Sequence, residues 1–241
     1  MMLIIENPNA EDKRSVFAVP RDGTIYLGTT DTDHGAPTDY PAVTGEDADY
    51  LLEAANRTFA IPPLGRGDVL GSWAGLRPLL HEEGKKPSEI SRKDEIMVDE
   101  ATGLVSIAGG KLTTYRTMAR RIVNLICERL GGRRTCRTGE LPLPGGERPP
   151  GELPALIRGV AAALPALAPG AAERLVRLYG TRVERIIART TADPIAAAPL
   201  RGLPEVPRAE IEHVLDEEMA LTITDVLERR LRVLLFSPGL G

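Results

Sequence analysis

The sequence predicts an α/β domain with a mixed, mostly antiparallel sheet and helices over residues 1–137, followed by a small all-α domain over residues 153–241. Two observations predict this order: short β-type runs separated by turn residues fill the first part, and apolar residues at helical spacing fill the second. A third observation separates the two parts, because residues 138–152 are rich in proline and glycine, a composition typical of a linker.

The first domain opens with a predicted hairpin. Residues 15–20 and 24–29 have the pattern of strands on either side of an Arg21-Asp22-Gly23 turn. A helix is predicted over residues 46–59, with Thr44 or Gly45 near its N-terminal cap. The remaining elements of this domain are strands over 68–76, 89–98 and 104–108 and a helix that ends near Leu130.

The second domain is predicted to consist of helices over 153–164, 171–178, 182–189, 208–219 and 222–235. The last two helices share one apolar face, which we expect to be buried. Its residues are Ile211, Val214, Leu215, Met219, Ile223, Val226 and Leu227. The charged residues of the last two helices are typical of a solvated, ion-paired face, and a partner-binding surface is the alternative.

Composition argues against several classes of function. The net charge of −4 and the aromatic content of 4% disfavour nucleic acid or a membrane surface as the main partner. Cys127 and Cys136 cannot form a disulfide framework, and no Cys/His cluster has the spacing of a metal site. The sequence shows no signal peptide and no transmembrane segment, so we expect a cytoplasmic protein without a metal.

The stretch around Gly109-Gly110 is the most informative motif. An apolar run over 104–108 ends in the two glycines and leads into a helical pattern, so backbone amides at the helix start lack acceptors. Such a helix start favours an anion or the electron-rich edge of a ring, and Lys111 adds a positive charge there. Thr113 or Thr114 can cap the helix. The alternative is a glycine-rich strand-to-helix turn without a ligand.

Two arginines lie between the hairpin and this turn. Arg77 ends an apolar run just before Pro78, where a guanidinium can grip an oxyanion with two nitrogens or pair with a structural carboxylate. Arg92 is by itself typical of a solvated surface. Together with Arg77 and Lys111, it would provide a third positive group for a doubly charged phosphate.

Other titratable residues favour structural roles. Asp31 and Asp33 could act as an acid–base pair, but their local pattern favours side-chain bonds that close a turn. His34 is expected to be exposed, and His81 and His213 have no partners in the sequence.

The order and spacing of several motifs resemble those of FAD-dependent glycerol-3-phosphate dehydrogenases. The matching stretches in the first domain are residues 17–20, 28–33, 75–79, 91–92 and 109–116. Residues 179–180 and 217–230 resemble the C-terminal helical domain of that family. Together the motifs are specific, although each one alone would be a weak signal.

The resemblance implies oxidation of sn-glycerol 3-phosphate to dihydroxyacetone phosphate, with electrons passed from FAD to a quinone. The implied cofactor-binding residues are Gly109, Gly110, Lys111, Leu112 and Thr113. The implied substrate-binding residues are Arg77, Arg92 and Lys111. The resemblance assigns no general base within this sequence, and it allows peripheral association with the inner face of the membrane.

The sequence also departs from the family pattern. It contains no G-x-G-x-x-G turn between a strand and a helix, which would hold the FAD diphosphate. Arg21 stands where the family usually has a tryptophan. The resemblance is therefore to the C-terminal half only, which implies a separate FAD-binding half as partner. The alternatives are a non-catalytic remnant or interaction module, and another flavin amine or amino-acid oxidase of the superfamily.

Overall fold

A computed structural model describes residues 2–6, 15–21, 23–32, 34–35, 41–77, 94–132 and 135–236. The chain divides into two compact units. The first consists of Met1–Cys136 with Leu235–Gly241, and the second is Arg137–Leu234. The first unit contains small antiparallel sheets with helices, and the second is mostly helical, so the predicted fold class is confirmed.

Three antiparallel strands form the first sheet, with the central strand paired to both neighbours. Val16 and Ala18 are buried on one face of the central strand, and Ala18 lies opposite Leu3 and Leu27. This alternation of buried and exposed side chains is what period-two patterning predicts for a half-buried strand. The strands are β1, Leu3–Glu6; β2, Ser15–Arg21; and β3, Thr24–Gly28.

Helix α1, Gly45–Thr58, shares an apolar cluster with this sheet, in which Ala54 and Val16 are fully buried. Thr44 caps the helix as predicted. The Thr44 hydroxyl accepts a hydrogen bond from the Asp47 amide at 3.2 Å, and the Asp47 carboxylate accepts one from the Thr44 amide at 3.1 Å. This reciprocal capping box satisfies two amides at the helix start and fixes Asp47.

A second antiparallel pair leads into the next helix. Asp99 closes its turn, accepting hydrogen bonds from the Ala101 amide and the Thr102 hydroxyl, both at 2.9 Å. Helix α2 has no buried residue in the described part of the chain. The elements are β4, Glu95–Val98; β5, Val105–Ala108; and α2, Tyr115–Arg129.

The strand predicted over 68–76 is wrong. Arg66–Asp68 forms one 3₁₀ turn, and residues 69–77 join no ladder within the part of the chain that the structure describes. Gly71 and Gly75 explain the difference, because glycine adds no side chain to pack and loses more conformational entropy in a strand.

Two other strands differ from the sequence patterns. Of the strand predicted over 89–98, Glu95–Val98 is observed, and residues 89–93 lie outside the described residues. Strand β1 was not predicted, because a run of four residues is too short to show a clear period of two.

The second unit contains four helices of nine to eleven residues among its described elements, together with a short hairpin. Leu175, Val183 and Ile186 are fully buried in its main apolar cluster. The hairpin of β6, Pro199–Leu200, and β7, Leu203–Pro207, was not predicted, since its prolines disfavour strands. The helices are α3, Leu153–Ala163; α4, Ala171–Tyr179; α5, Val183–Ala192; and α6, Arg208–Glu217.

The single helix predicted over 222–235 is wrong. A π-helical segment, Asp225–Arg230, is followed by the short α7, Val233–Phe236. Arg232 between them adopts a φ of 59°, in the left-handed region, which ends a regular helix.

The apolar face predicted for the last helices is also wrong in part. Leu215 and Met219 are exposed, whereas α6 buries Glu210, His213 and Val214. Glu210 is buried because it is paired, as described below, and the helix turns that face inward.

The proline- and glycine-rich residues 138–152 lie within the second unit. The Thr181 amide donates to the Gly145 carbonyl at 3.0 Å, and the backbones of Gly145 and Gly180 are in direct contact. Both glycines have positive φ angles, 91° and 55°. This close backbone approach leaves no room for a side chain at either position.

Candidate functional site

The turn between β5 and α2 depends on its two glycines. Gly109 and Gly110 have φ angles of 73° and 84°, which residues with a side chain rarely adopt. A Cβ atom on Gly110 would also lie 2.5 Å from the sulfur of Met118. The backbone conformation therefore favours glycine at position 110, and a side chain there would also displace the end of the Met118 side chain.

A short 3₁₀ turn, Leu112–Thr114, links these glycines to α2. The Thr114 amide donates to the Lys111 carbonyl at 2.9 Å, so the amides of Leu112 and Thr113 precede the first intrahelical bond. The Leu112 side chain is 89% exposed. These two amides and the positive end of α2 favour negative charge at this turn, and Lys111 is the cation next to them in sequence.

The predicted threonine cap differs in detail. Thr114 is the N-cap residue of α2, but its hydroxyl makes no capping bond to a helix amide. The hydroxyl donates instead to the Lys111 carbonyl at 2.9 Å. The Thr113 side chain is exposed. The Thr114 hydroxyl therefore does not accept a hydrogen bond from the first amides of the helix.

Two ion pairs fasten α2 to the neighbouring strands. Arg121 bonds to Asp94, just before β4, and Arg129 pairs with Glu100 at 2.7 Å in the β4–β5 turn. The hydrogen bond with Arg129 lowers the pKa of Glu100 below its ordinary value. Each exposed pair adds little stability alone, but both fix the helix relative to the glycine turn.

Arg77 lies against the segment that follows β3. One terminal nitrogen of its guanidinium donates to the Asp31 carboxylate at 2.7 Å, and the other donates to the Thr29 hydroxyl at 3.4 Å. The structure thus shows the carboxylate pairing that was one of the two expectations for Arg77. The Asp31 carboxylate takes part in this pair, and Asp33 and Arg92 lie outside the described residues.

The second unit contains a buried polar network that the sequence patterns missed. Glu210 is fully buried and accepts hydrogen bonds from Arg174 at 2.9 and 3.0 Å and from the Tyr179 hydroxyl at 2.8 Å. Burial raises the pKa of Glu210, and Arg174 opposes that shift. The repeated alternation of charged and apolar residues in α6 does not reveal which glutamate faces inward.

Neither of the two described histidines is among the predicted site residues. His34 is exposed, as expected, and His81 lies outside the described residues. His213 is fully buried, and its ring packs edge-on against Tyr179 with ring centroids 5.4 Å apart. His213 belongs to the second unit, whereas every predicted site residue belongs to the first.

The described residues offer neither a metal cluster nor a membrane span. No group of three or more His, Cys, Asp or Glu side chains there could hold a metal ion. Among the same residues, no helix is both long enough and apolar enough to cross a membrane.

Comparison with known families matches nearly the whole chain. Residues 2–116 match the family model described as FAD dependent oxidoreductase, and residues 136–240 match the C-terminal domain of alpha-glycerophosphate oxidase. These matches place the protein in the class of flavin-dependent oxidoreductases.

Individual relatives narrow the class. The chain is 42% identical over 236 residues to the aerobic glycerol-3-phosphate dehydrogenase of Bacillus subtilis (strain 168), covering 93% of this chain and 42% of the relative. It is 38% identical over 240 residues to the enzyme of the same name from Staphylococcus haemolyticus (strain JCSC1435), covering 94% of this chain and 42% of the relative.

A solved structure agrees with these relatives. The X-ray structure of the glycerol-3-phosphate dehydrogenase from Bacillus halodurans, complexed with FAD, matches with a TM-score of 0.77 and 34% identity, covering 98% of this chain and 48% of that chain. The chain belongs to the family of FAD-dependent glycerol-3-phosphate dehydrogenases, as its motifs predicted. It spans less than half the length of these relatives.

Proposed function

We propose that this chain supplies part of the active site of an enzyme that oxidises sn-glycerol 3-phosphate to dihydroxyacetone phosphate. The reaction uses FAD, and a quinone takes the electrons onward. One observation carries the proposal: the Gly109-Gly110 turn leads into the start of α2, where the amides of Leu112 and Thr113 precede the first intrahelical bond and Lys111 is the neighbouring cation in sequence.

The residues of this turn suit a flavin ring. Gly109 and Gly110 have no side chains to obstruct a planar ring, and the amides of Leu112 and Thr113 are donors for its electron-rich edge. When bound, FAD supplies the acceptor for the two electrons of alcohol oxidation. The positive end of α2 and Lys111 favour the extra negative charge that reduction brings to the cofactor.

Arg77 and Lys111 are the described cations assigned to the substrate phosphate, and Arg92 is the third residue assigned to it. A guanidinium has five N–H donors, of which the described bonds of Arg77 use two. The remaining donors can bind phosphate oxygens, for which the planar fork of arginine is well matched. Several cations attract a doubly charged phosphate more strongly than they attract a singly charged carboxylate.

The FAD diphosphate needs a site that these residues do not supply. The sequence contains no G-x-G-x-x-G turn, and the relatives are more than twice as long as the matched region. We propose that a further FAD-binding segment completes the enzyme, in the same polypeptide or as a separate chain. Exposed apolar side chains at the turn and along α2, at Leu112, Val123 and Leu130, favour such a covering segment.

A second candidate function is a non-catalytic interaction module. The observation that favours it lies in the helical unit, where Met219, Leu221 and Ile223 are each more than three-quarters exposed within five residues of sequence. Closely spaced exposed apolar side chains are typical of a protein-binding surface. A stable partner bound to a folded, flavin-free protein would support this function over the enzymatic one.

A flavin titration tests whether this chain alone is sufficient for FAD binding and reduction. The purified chain is mixed with FAD, and flavin absorbance and fluorescence are followed with and without glycerol 3-phosphate. Tight binding and bleaching by the substrate would show that the chain suffices. Weak binding is expected, since losing the diphosphate site costs several kcal/mol, on the order of a thousandfold in affinity.

Co-expression with an FAD-binding segment then provides the decisive assay. Glycerol 3-phosphate should reduce an electron-accepting dye in the FAD-loaded complex, and Arg77→Ala or Lys111→Ala should greatly weaken this activity. Arg66→Ala is the matched control, because Arg66 is an exposed arginine of the same unit whose partner is Asp49. An FAD-loaded complex without dye reduction would contradict the proposed function.

A further inference from the structure

Arg77 is held by residues for which neither the motifs nor the family matches provide a role. Its two terminal nitrogens bond to different side chains, Asp31 at 2.7 Å and Thr29 at 3.4 Å. The Asp31 carboxylate is mostly buried, with 14% of its side chain exposed, whereas Arg77 retains 35%. A guanidinium gripped at both ends cannot rotate freely, so its orientation is set by the segment behind it.

That segment is itself fastened to α1. The Thr30 hydroxyl bonds to the carboxylate of Asp47, which is only 8% exposed and belongs to the capping box with Thr44. Burial raises the pKa of Asp47, but its bonds with Thr44 and Thr30 outweigh this effect and hold the pKa below its ordinary value. An ionised carboxylate at the start of a helix is also favoured by the helix dipole.

These bonds form one continuous support. It runs from the N-terminus of α1 through Asp47 to Thr30, and the two neighbours of Thr30 in sequence are the residues that hold Arg77. The contact of Thr30 with α1 therefore restrains the positions of its neighbours Thr29 and Asp31. Such outer supports are what keep a binding group within the narrow geometry that a substrate requires.

We infer that Asp31 is a positioning residue for Arg77, which it aims at the substrate phosphate. The inference rests on the proposed function and adds a residue to it. Asp31 does not touch the substrate; it restricts the guanidinium before binding, so that less side-chain freedom is lost when phosphate arrives.

The test uses Asp31→Asn in the FAD-loaded enzyme that contains this chain. We expect the KM for glycerol 3-phosphate to rise about tenfold with kcat within about twofold, since a misaimed binding group weakens ground state and transition state alike. The dissociation constant of dihydroxyacetone phosphate for the oxidised enzyme, measured by calorimetry, should rise by the same factor. This binding measurement does not depend on turnover.

Controls separate positioning from general damage. Asp49→Asn makes the same chemical change in the same unit, at an exposed carboxylate that pairs with exposed Arg66, and should leave both constants unchanged. In an Arg77→Ala background, Asp31→Asn should have no further effect, because a positioning residue acts only through its partner.

Three outcomes would decide the matter. If Arg77→Ala weakens binding and Asp31→Asn does not, the inference is overturned while the proposed function stands. If Arg77→Ala itself has no effect, the assignment of Arg77 to the substrate fails, and the inference fails with it. Should Asp31→Asn not fold, Thr29→Val removes the other hydrogen bond, and an unchanged dissociation constant for that variant would overturn the inference.

Discussion

Replacing Gly110 by alanine tests whether the turn before α2 is as constrained as the structure shows. At a φ of 84°, an alanine costs about 1–2 kcal/mol in backbone strain. Its Cβ would also lie 2.5 Å from the sulfur and 2.6 Å from the terminal methyl of Met118, at the far end of a flexible side chain that can move aside by leaving its preferred rotamer, at about 0.5–1.5 kcal/mol. We expect Gly110→Ala to lower the free energy of unfolding by about 1.5–3.5 kcal/mol.

A matched variant isolates the two contributions. Gly103 has a φ of 74°, and an added Cβ there would meet no atom within 4 Å, so Gly103→Ala carries the backbone cost alone. We expect it to cost about 1–2 kcal/mol. Met118→Ala should restore part of the loss in the Gly110→Ala protein, because it removes the atoms that overlap.

Urea unfolding followed by tryptophan fluorescence measures these differences. Trp73 is the only tryptophan in the sequence and lies in the same unit as the turn, so its signal reports that unit. Equal losses for Gly110→Ala and Gly103→Ala would refute the packing argument. A loss in Gly110→Ala that Met118→Ala does not relieve would refute the role of Met118.

Two further predictions concern the helical unit. Gly180→Ala should destabilise it strongly, because the added Cβ would meet the backbone of Gly145. Gly170→Ala should destabilise it less, because Gly170 also has a positive φ but has open space around it. Circular dichroism on heating measures both variants, and equal melting temperatures would contradict this prediction. Hydrogen bonds from Arg229, from two backbone amides and from a threonine hydroxyl hold the pKa of Asp225 well below its ordinary value, so its contribution to stability is present above about pH 4 and is lost as the pH falls through the lowered pKa. Asp225→Asn should therefore flatten the acid side of the stability curve, and an acid limb as steep as that of the unchanged protein would count against this assignment.

Local signals predicted the parts of the fold that local interactions determine. The β2–β3 hairpin, the cap at Thr44 and the turn at Gly109-Gly110 were all predicted from short patterns. Each of these features depends on residues close together in sequence, whose side chains or backbone angles dictate the turn or cap directly.

The features that were missed depend on distant partners. Glu210 is inside because Arg174, 36 residues away in sequence, pairs with it, and Arg77 is oriented by Asp31, 46 residues away. No pattern in the neighbouring sequence identifies the partner in either pair.

The support for Arg77 could be predicted only in its parts. The motif at 28–33 and the arginine were both singled out from the sequence, and Thr44 was recognised as a cap. That these three join through Thr30 and Asp47 follows from how α1 packs on the first sheet. Family motifs therefore identify which residues matter, whereas the contacts between those residues can be seen only in the folded structure.

The buried phenol of Tyr179 has a practical consequence. Burial and the nearby Glu210 carboxylate raise the pKa of Tyr179 far above its ordinary value, while the chain contains four other tyrosines. In alkaline solution the Tyr179 ring stays un-ionised for as long as the helical unit stays folded. The absorbance of its phenolate therefore reports the unfolding of the C-terminal unit.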